Sequence, residues 1–292
     1  MRKWMAVIGT SAAVIGLGAC SNAEEPATTE EGSEASAPEA QEETKSASEV
    51  YTQAVEASQQ VESLRAKSHT EQQMKMQPDG MEIDMTVDSK MEMTYEPLAF
   101  HQKGETSIVS EDIDNTNPML TEMYMTEEGL YMHETSVDMW LKMPEEMQEN
   151  MQSMAGQQSA DPARQLDVLG DFEEDFVLEE TDEAYILTLD ASGEEFQELT
   201  DEQLEKTLGQ MEIEAPLAPE DLEVHAVNYV ITLNKETYLA DRMEVDMELD
   251  VDVRGEMMAI ESQMQVDYSD YNAIDPIEIP PEVLEQAQEI EF

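Results

Sequence analysis

A chain of 292 residues with 69 acidic and 14 basic side chains, a formal charge of −55, presents a surface that repels nucleic acid and anionic headgroups. Its single cysteine excludes an intramolecular disulfide and any cysteine-cluster metal site. The acids run along the whole chain and form no separate tail. High external salt tolerates such a composition, because charges are screened over about 3 Å at 1 M.

The chain opens with Arg2 and Lys3, continues through an apolar run from Trp4 to Leu17, and closes on Leu17-Gly18-Ala19-Cys20. That is the layout of a secretion signal, too short and too close to the terminus for a lasting membrane span. Leu-Gly-Ala-Cys resembles the lipobox of bacterial lipoproteins. The resemblance implies a signal peptide over 1–19, cleavage between Ala19 and Cys20, and a diacylglycerol on the Cys20 thiol. A lone thiol exported to an oxidising compartment also fits one consumed by lipidation. Residues 20–46, rich in Glu, Ala, Ser, Thr and Pro, cannot bury enough to fold and read as an acidic tether. The expectation is a monomer anchored by acyl chains to the outer face of the cytoplasmic membrane, with residues 47–292 as a single extracytoplasmic domain.

From Ala47 the apolar residues Val50, Ala54, Ala57, Val61 and Leu64 recur at helical spacing and predict an amphipathic helix. Met81, Ile83, Met85, Val87, Met91, Met93 and Tyr95 then alternate with polar residues, broken only at Ser89, and predict a long strand. Shorter strands are expected over 99–108, 120–126, 129–134 and 137–143. A helix is expected from Pro144 with Met147, Met151 and Met154 in one stripe, and another capped by Asp161 with Leu166 and Leu169 inward. A strand over 185–189, a helix over 193–208 and a strand over 225–233 follow. Alternation resumes at Met243, Val245, Met247, Leu249, Val251 and Val253, turns around Arg254-Gly255-Glu256, and returns through Met258, Ile260, Met264, Val266 and Tyr268. A last short helix is expected over 280–288.

Long strands with one dry and one wet face must cover the dry one. The fold class expected is α+β: a curved antiparallel sheet forming an unclosed half-barrel, with helices covering the concave face. The order of lipobox, acidic tether, helix and alternating strands, ending in Tyr268-Ser269-Asp270-Tyr271-Asn272 and Ile279-Pro280-Pro281-Glu282-Val283, resembles a known group. So does the Asn234-Lys235-Glu236-Thr237-Tyr238 turn before the hairpin. These features are similar to surface lipoproteins of Gram-positive bacteria of unknown function in the LolA/LppX-like lipoprotein-carrier superfamily. That resemblance implies an unclosed barrel over helices with an apolar cavity, which in some relatives carries lipid or a lipoprotein's acyl chains.

The residues expected to line such a groove are Met81, Ile83, Met85, Val87, Met91 and Met93 on the first long strand. Met243, Val245, Met247 and Leu249 are their counterparts on the second. Methionine is unbranched and polarizable, so a methionine-rich face suits acyl chains of variable shape; the same residues also serve as ordinary core filler. His69, His101, His133 and His225 share no metal-ligand spacing, and the pairs Met74/Met76, Met91/Met93 and Met123/Met125 have the spacing of any strand face. No Gly-x-Ser-x-Gly elbow, phosphate loop, dinucleotide fingerprint or twelve-residue calcium loop occurs. The expected function is therefore non-enzymatic and free of cofactor or metal: a tethered protein binding a lipid or other amphiphile. Two other readings stay open, an envelope or surface interaction module with a filled core, and a cation-binding acidic surface protein.

Overall fold

In the computed structural model the described residues are 45–77, 80–110, 118–135, 138–155, 161–191, 222–253 and 255–290. The expected signal peptide, Cys20 and the tether up to residue 44 lie outside them, as does the expected helix over 193–208. Helix α1 (Ala47–Ser58) starts at Ser46, whose Oγ accepts the Glu49 N–H at 3.2 Å while the Ser46 N–H donates to Glu49 Oε2 at 2.9 Å. This reciprocal cap stabilises the first turn by about 1 kcal/mol. The helix buries Val50, Tyr51 and Ala54.

The expected helical stripe ran on through Val61 to Leu64, but α1 stops at Ser58 and Leu64 becomes the second residue of a strand. That strand, β1 (Ser63–Met76), was not anticipated. Its inward positions carry Leu64 and Ala66 at one end and Met74 and Met76 at the other, with Ser68, Thr70 and Gln72 between them. The alternation is real in space but hidden in hydropathy.

The remaining elements follow in order. They are β2 (Glu82–Tyr95), β3 (Leu98–Ser110), β4 (Met119–Thr126), β5 (Gly129–Glu134), β6 (Met139–Lys142), α2 (Glu145–Ala155) and α3 (Pro162–Val168). Then come β7 (Val177–Glu180), β8 (Ala184–Asp190), β9 (Leu222–Asn234), β10 (Ala240–Val253), β11 (Glu256–Ser269), α4 (Pro281–Gln286) and β12 (Gln288–Glu289). All the described strands join one sheet in the order β12-β6-β5-β4-β3-β2-β1-β11-β10-β9-β8-β7. Neighbours are antiparallel except β12 and β6, which are parallel. The two end strands do not pair with each other, so the sheet is open. The strand that hydropathy concealed joins the sheet's two arms, pairing with β2 on one side and β11 on the other.

Register assigns the faces. Phe100, Met125 and Leu130 are cross-strand partners, and so are the intervening His101, Tyr124 and Tyr131, which point the opposite way. On the first face Leu64, Met93, Phe100, Met125, Leu187, Ile231 and Met243 form the main core with Val50, Tyr51 and Ala54 of α1 and Leu166 and Leu169 at α3. The Tyr51 hydroxyl donates to the Leu166 carbonyl and ties the two helices together. On the opposite face Tyr124 and Tyr131 pack with Ile279 and Val283, the latter in α4, as a second small cluster. The described helices thus divide between two apolar clusters: α1, α2 and α3 serve the main one and α4 the other.

The motifs quoted for the family resemblance act as fasteners. The Tyr271 hydroxyl donates to the Ala240 carbonyl at 2.7 Å. Asn272 Oδ1 accepts the Glu62 N–H at 2.6 Å and its own N–H donates to the Ser63 carbonyl at 2.8 Å, locking the start of β1 to the end of β11. Asn234 Oδ1 accepts the N–H groups of Glu236 and Thr237, and Tyr238 closes that turn at a φ of 60°. Gly255 turns the β10–β11 hairpin at a φ of 88°, a conformation that L side chains rarely adopt.

Candidate functional site

The inward face continues beyond the packed core toward the hairpin tips. One cross-strand row runs Ile108, Met85, Gln72, Ser262, Met247, Val227 over β3, β2, β1, β11, β10 and β9. The next row toward the tips holds Ile83, Met74, Ile260 and Leu249, and the row toward the core holds Val87, Thr70, Met264 and Val245. Val227 is buried, whereas Met85, Met247, Ile83, Leu249, Val87 and Val245 are half-buried. A hollow of about 350 Å³ among these strands lies on the other, polar side of the sheet, where Glu71, Gln73, Asp84, Asp246, Glu261 and Gln263 alternate with the inward row.

The expected lining residues therefore separate into groups. Met91, Met93 and Met243 are 3 %, 1 % and 0 % exposed and belong to the main core. Ile83, Met85, Val87, Val245, Met247 and Leu249 share one half-exposed stretch of the same face. Met81 precedes β2 and is exposed.

At the core end of the sheet lies a larger cavity of about 880 Å³ between the end of α1, the β2–β3 turn and the start of α3. Met93, Tyr95 and Leu98 contribute its apolar wall, Ser58 and Asp161 its buried polar groups, and Arg164 its cation. Asp161 caps α3, accepting the Ala163 N–H at 3.0 Å, and its charge lies near the Tyr95 hydroxyl. Burial, reinforced by Asp161, holds the Tyr95 phenol well above the ordinary phenol value, and burial does the same at Tyr268 and Tyr271. Sequence reading found Asp161 as a helix cap and Tyr95 as the end of an alternating run. Neither signal, nor any at Ser58, marks a cavity wall, because the three meet only through tertiary packing.

On the outer face the charged groups pair locally. Arg65 bridges Glu92 and Asp270, Arg242 holds Asp267 at 2.7 Å, and His69 Nδ1 lies 2.8 Å from Asp88. The Asp88 hydrogen bond pushes the His69 pKa up, and the Asp250 hydrogen bond does so for His225. Among the described residues no group of three or more His, Cys, Asp or Glu side chains is arranged to hold a metal ion, and no helix is long and apolar enough to cross a membrane.

The profile of a family of unknown function, DUF6612, matches residues 46–288, from the α1 cap to the first residue of β12. The chain belongs to this family. No curated protein matches the DUF6612 chain. Among solved structures it is similar to LprF from Mycobacterium bovis, at 13 % identity over 80 % of this chain and 95 % of that one, with a TM-score of 0.36. A DUF1329 family protein from Desulfovibrio piger matches at 11 % identity over 78 % and 94 %, with a TM-score of 0.25. A LolA superfamily protein from Nitrosomonas europaea, NE2245, matches at 11 % identity over 82 % and 97 %, with a TM-score of 0.19.

Proposed function

We propose that this DUF6612 protein is a non-enzymatic carrier or receptor, held outside the cytoplasmic membrane by lipid on Cys20, that shelters the apolar part of a lipid or other amphiphile. The observation that carries this reading is the continuation of the apolar face toward the hairpin tips, where Ile83, Met85, Val87, Val245, Met247 and Leu249 keep part of their surface exposed. A face of that kind gains about 25 cal/mol for each Å² of apolar surface that a ligand removes from water. Met85 and Met247 flank the small polar pair Gln72 and Ser262, so the row combines adaptable apolar walls with groups that can orient a polar end. The open sheet would bend around the ligand as a half-barrel, with helices closing its concave side. The charge of −55 favours neutral or cationic headgroups over anionic ones.

Native mass spectrometry of the protein released gently from membranes tests the reading. A co-purifying apolar mass is expected in the unaltered chain and is expected to vanish in the Met85→Asp/Met247→Asp variant. A clean ligand-free mass at several expression levels removes the proposal. Cys20→Ser is expected to abolish acyl labelling and shift the protein out of the membrane fraction; continued acylation would refute the anchor.

A further inference from the structure

The methionines at the hairpin tips form a set of their own, apart from those in the main core. β1 ends at Met76, and Gly80, at a φ of 69°, brings the chain back so that Met81 closes against it. There the Met76 N–H donates to the Met81 carbonyl at 2.9 Å. On its other side Met76 stands opposite Met258 of β11. Met81, Met76 and Met258 are therefore consecutive in one cross-strand row on the inward face, with Val251 of β10 next in line. Direct cross-strand neighbours hold their Cβ atoms about 4.5–5.5 Å apart, so three flexible thioether side chains can reach one point above the end of β1. Met74, two positions along β1 on the same face, offers a fourth sulfur.

Core packing does not account for this row. Met91, Met93 and Met243 are buried, whereas Met81 is 38 % exposed and Met76 and Met258 are half-buried, within reach of a solute. Leucine or isoleucine would cover the strand ends as well, and what methionine adds is a soft, polarizable sulfur. A thioether carries no charge and accepts hydrogen bonds only weakly, so it offers little to a proton donor or to a hard cation such as calcium, which takes oxygen ligands. Soft thioethers select Cu(I). The charge of −55 draws cations of every kind toward the molecule, and the sulfur atoms discriminate among them. Sequence spacing leaves no mark of the row, because its members meet only through the β1–β2 hairpin and the β1–β11 pairing.

We infer that Met76, Met81 and Met258 form a thioether site for a soft monovalent metal ion of the Cu(I) class. Neutral sulfur atoms coordinate the ion and leave its oxidation state unchanged. The site is independent of the proposed amphiphile function and stands if that function fails.

The test offers Cu(I) anaerobically to the full chain in nanodiscs of zwitterionic lipid, in competition with a chromophoric Cu(I) chelator. Transfer of one ion per chain is expected. Met76→Leu, Met81→Leu and Met258→Leu are each expected to weaken binding by about tenfold or more, since even a supporting partner of a metal site is worth that much. The thermal midpoint of the metal-free protein is expected to stay, because leucine keeps the apolar bulk. Met257→Leu is the control: Met257 stands opposite Asp252 on the other side of the sheet, and its replacement is expected to leave Cu(I) affinity unchanged. Met76→Leu is also expected to keep any co-purifying apolar mass, so that loss of metal and loss of amphiphile are read separately. No transfer of Cu(I), affinity unchanged in all three leucine variants, an equal loss in Met257→Leu, or displacement of Cu(I) by calcium at equal concentration would each overturn the site.

Discussion

At the scale of single residues, the methionines of the inward face are not equivalent. Met93 is 1 % exposed and part of the main core, so Met93→Asp buries a charge among apolar side chains, and the domain is expected not to fold. Met85 lies on the same face eight residues earlier and is half-buried; Met85→Asp is expected to cost about 1–2 kcal/mol and leave the fold intact. Circular dichroism melts of the two variants check this contrast, and equal damage would mean that the face is uniformly packed. His69 gives a second residue-scale expectation. Its folded pKa is raised by Asp88, so the pair contributes stability that is fully present below the unfolded value of about 6.5 and is lost as pH rises through the folded value. NMR titration of the His69 ring should show a midpoint above that reference, and Asp88→Asn should bring it down; an unmoved midpoint would show that the contact does not form in solution.

At the scale of elements, β1 connects the two arms although its sequence is the most polar of the long strands. It pairs from Arg65 to Met76 with β11 and from Ser63 to Lys75 with β2, so its amides are closed on both sides. Hydrogen exchange is expected to be slower along Ala66–Met74 than along β7, which pairs only with β8 among the described strands. Rapid exchange in β1 would disprove the strand order. The long strands β2, β10 and β11 were legible because every inward position but a few is apolar, giving an unambiguous period of two. β1 was not, since Ser68, Thr70 and Gln72 replace the apolar signal at its centre. Ser68 and Ser89 meet there at 2.9 Å between hydroxyls, which also explains the single break in the β2 series. The same polar insertion let Val61 and Leu64 pass as a continued helix. The strands β7 and β12 escaped notice for a simpler reason: four and two residues are too few to display a period. Of the candidate site, alternation revealed which residues face inward. Which of them are covered depends on where α1 and α3 stop, and only the packing tells that.

At the scale of the molecule, charge sets the conditions of stability. With 69 acidic residues against 14 basic ones, self-repulsion opposes the compact state whenever it is poorly screened. Raising sodium chloride from low concentration to about 1 M is expected to raise the thermal midpoint by on the order of 5–10 °C. A flat response in a melting series would show that the acids are compensated locally.

Salt has a second effect through the outer margin of β7. That strand pairs only with β8 among the described strands, and its Val177 is 68 % exposed, leaving backbone groups that an extended segment of another molecule could extend. Glu179 stands exposed on the same margin, while Glu180 is paired with Lys235, and the net negative field of the molecule pushes a second copy away while it reaches through solvent. Brine that tightens the individual molecule therefore also strips its defence against self-association. Storage at high ionic strength would exchange a loosely held solitary protein for a firmer one more prone to clump.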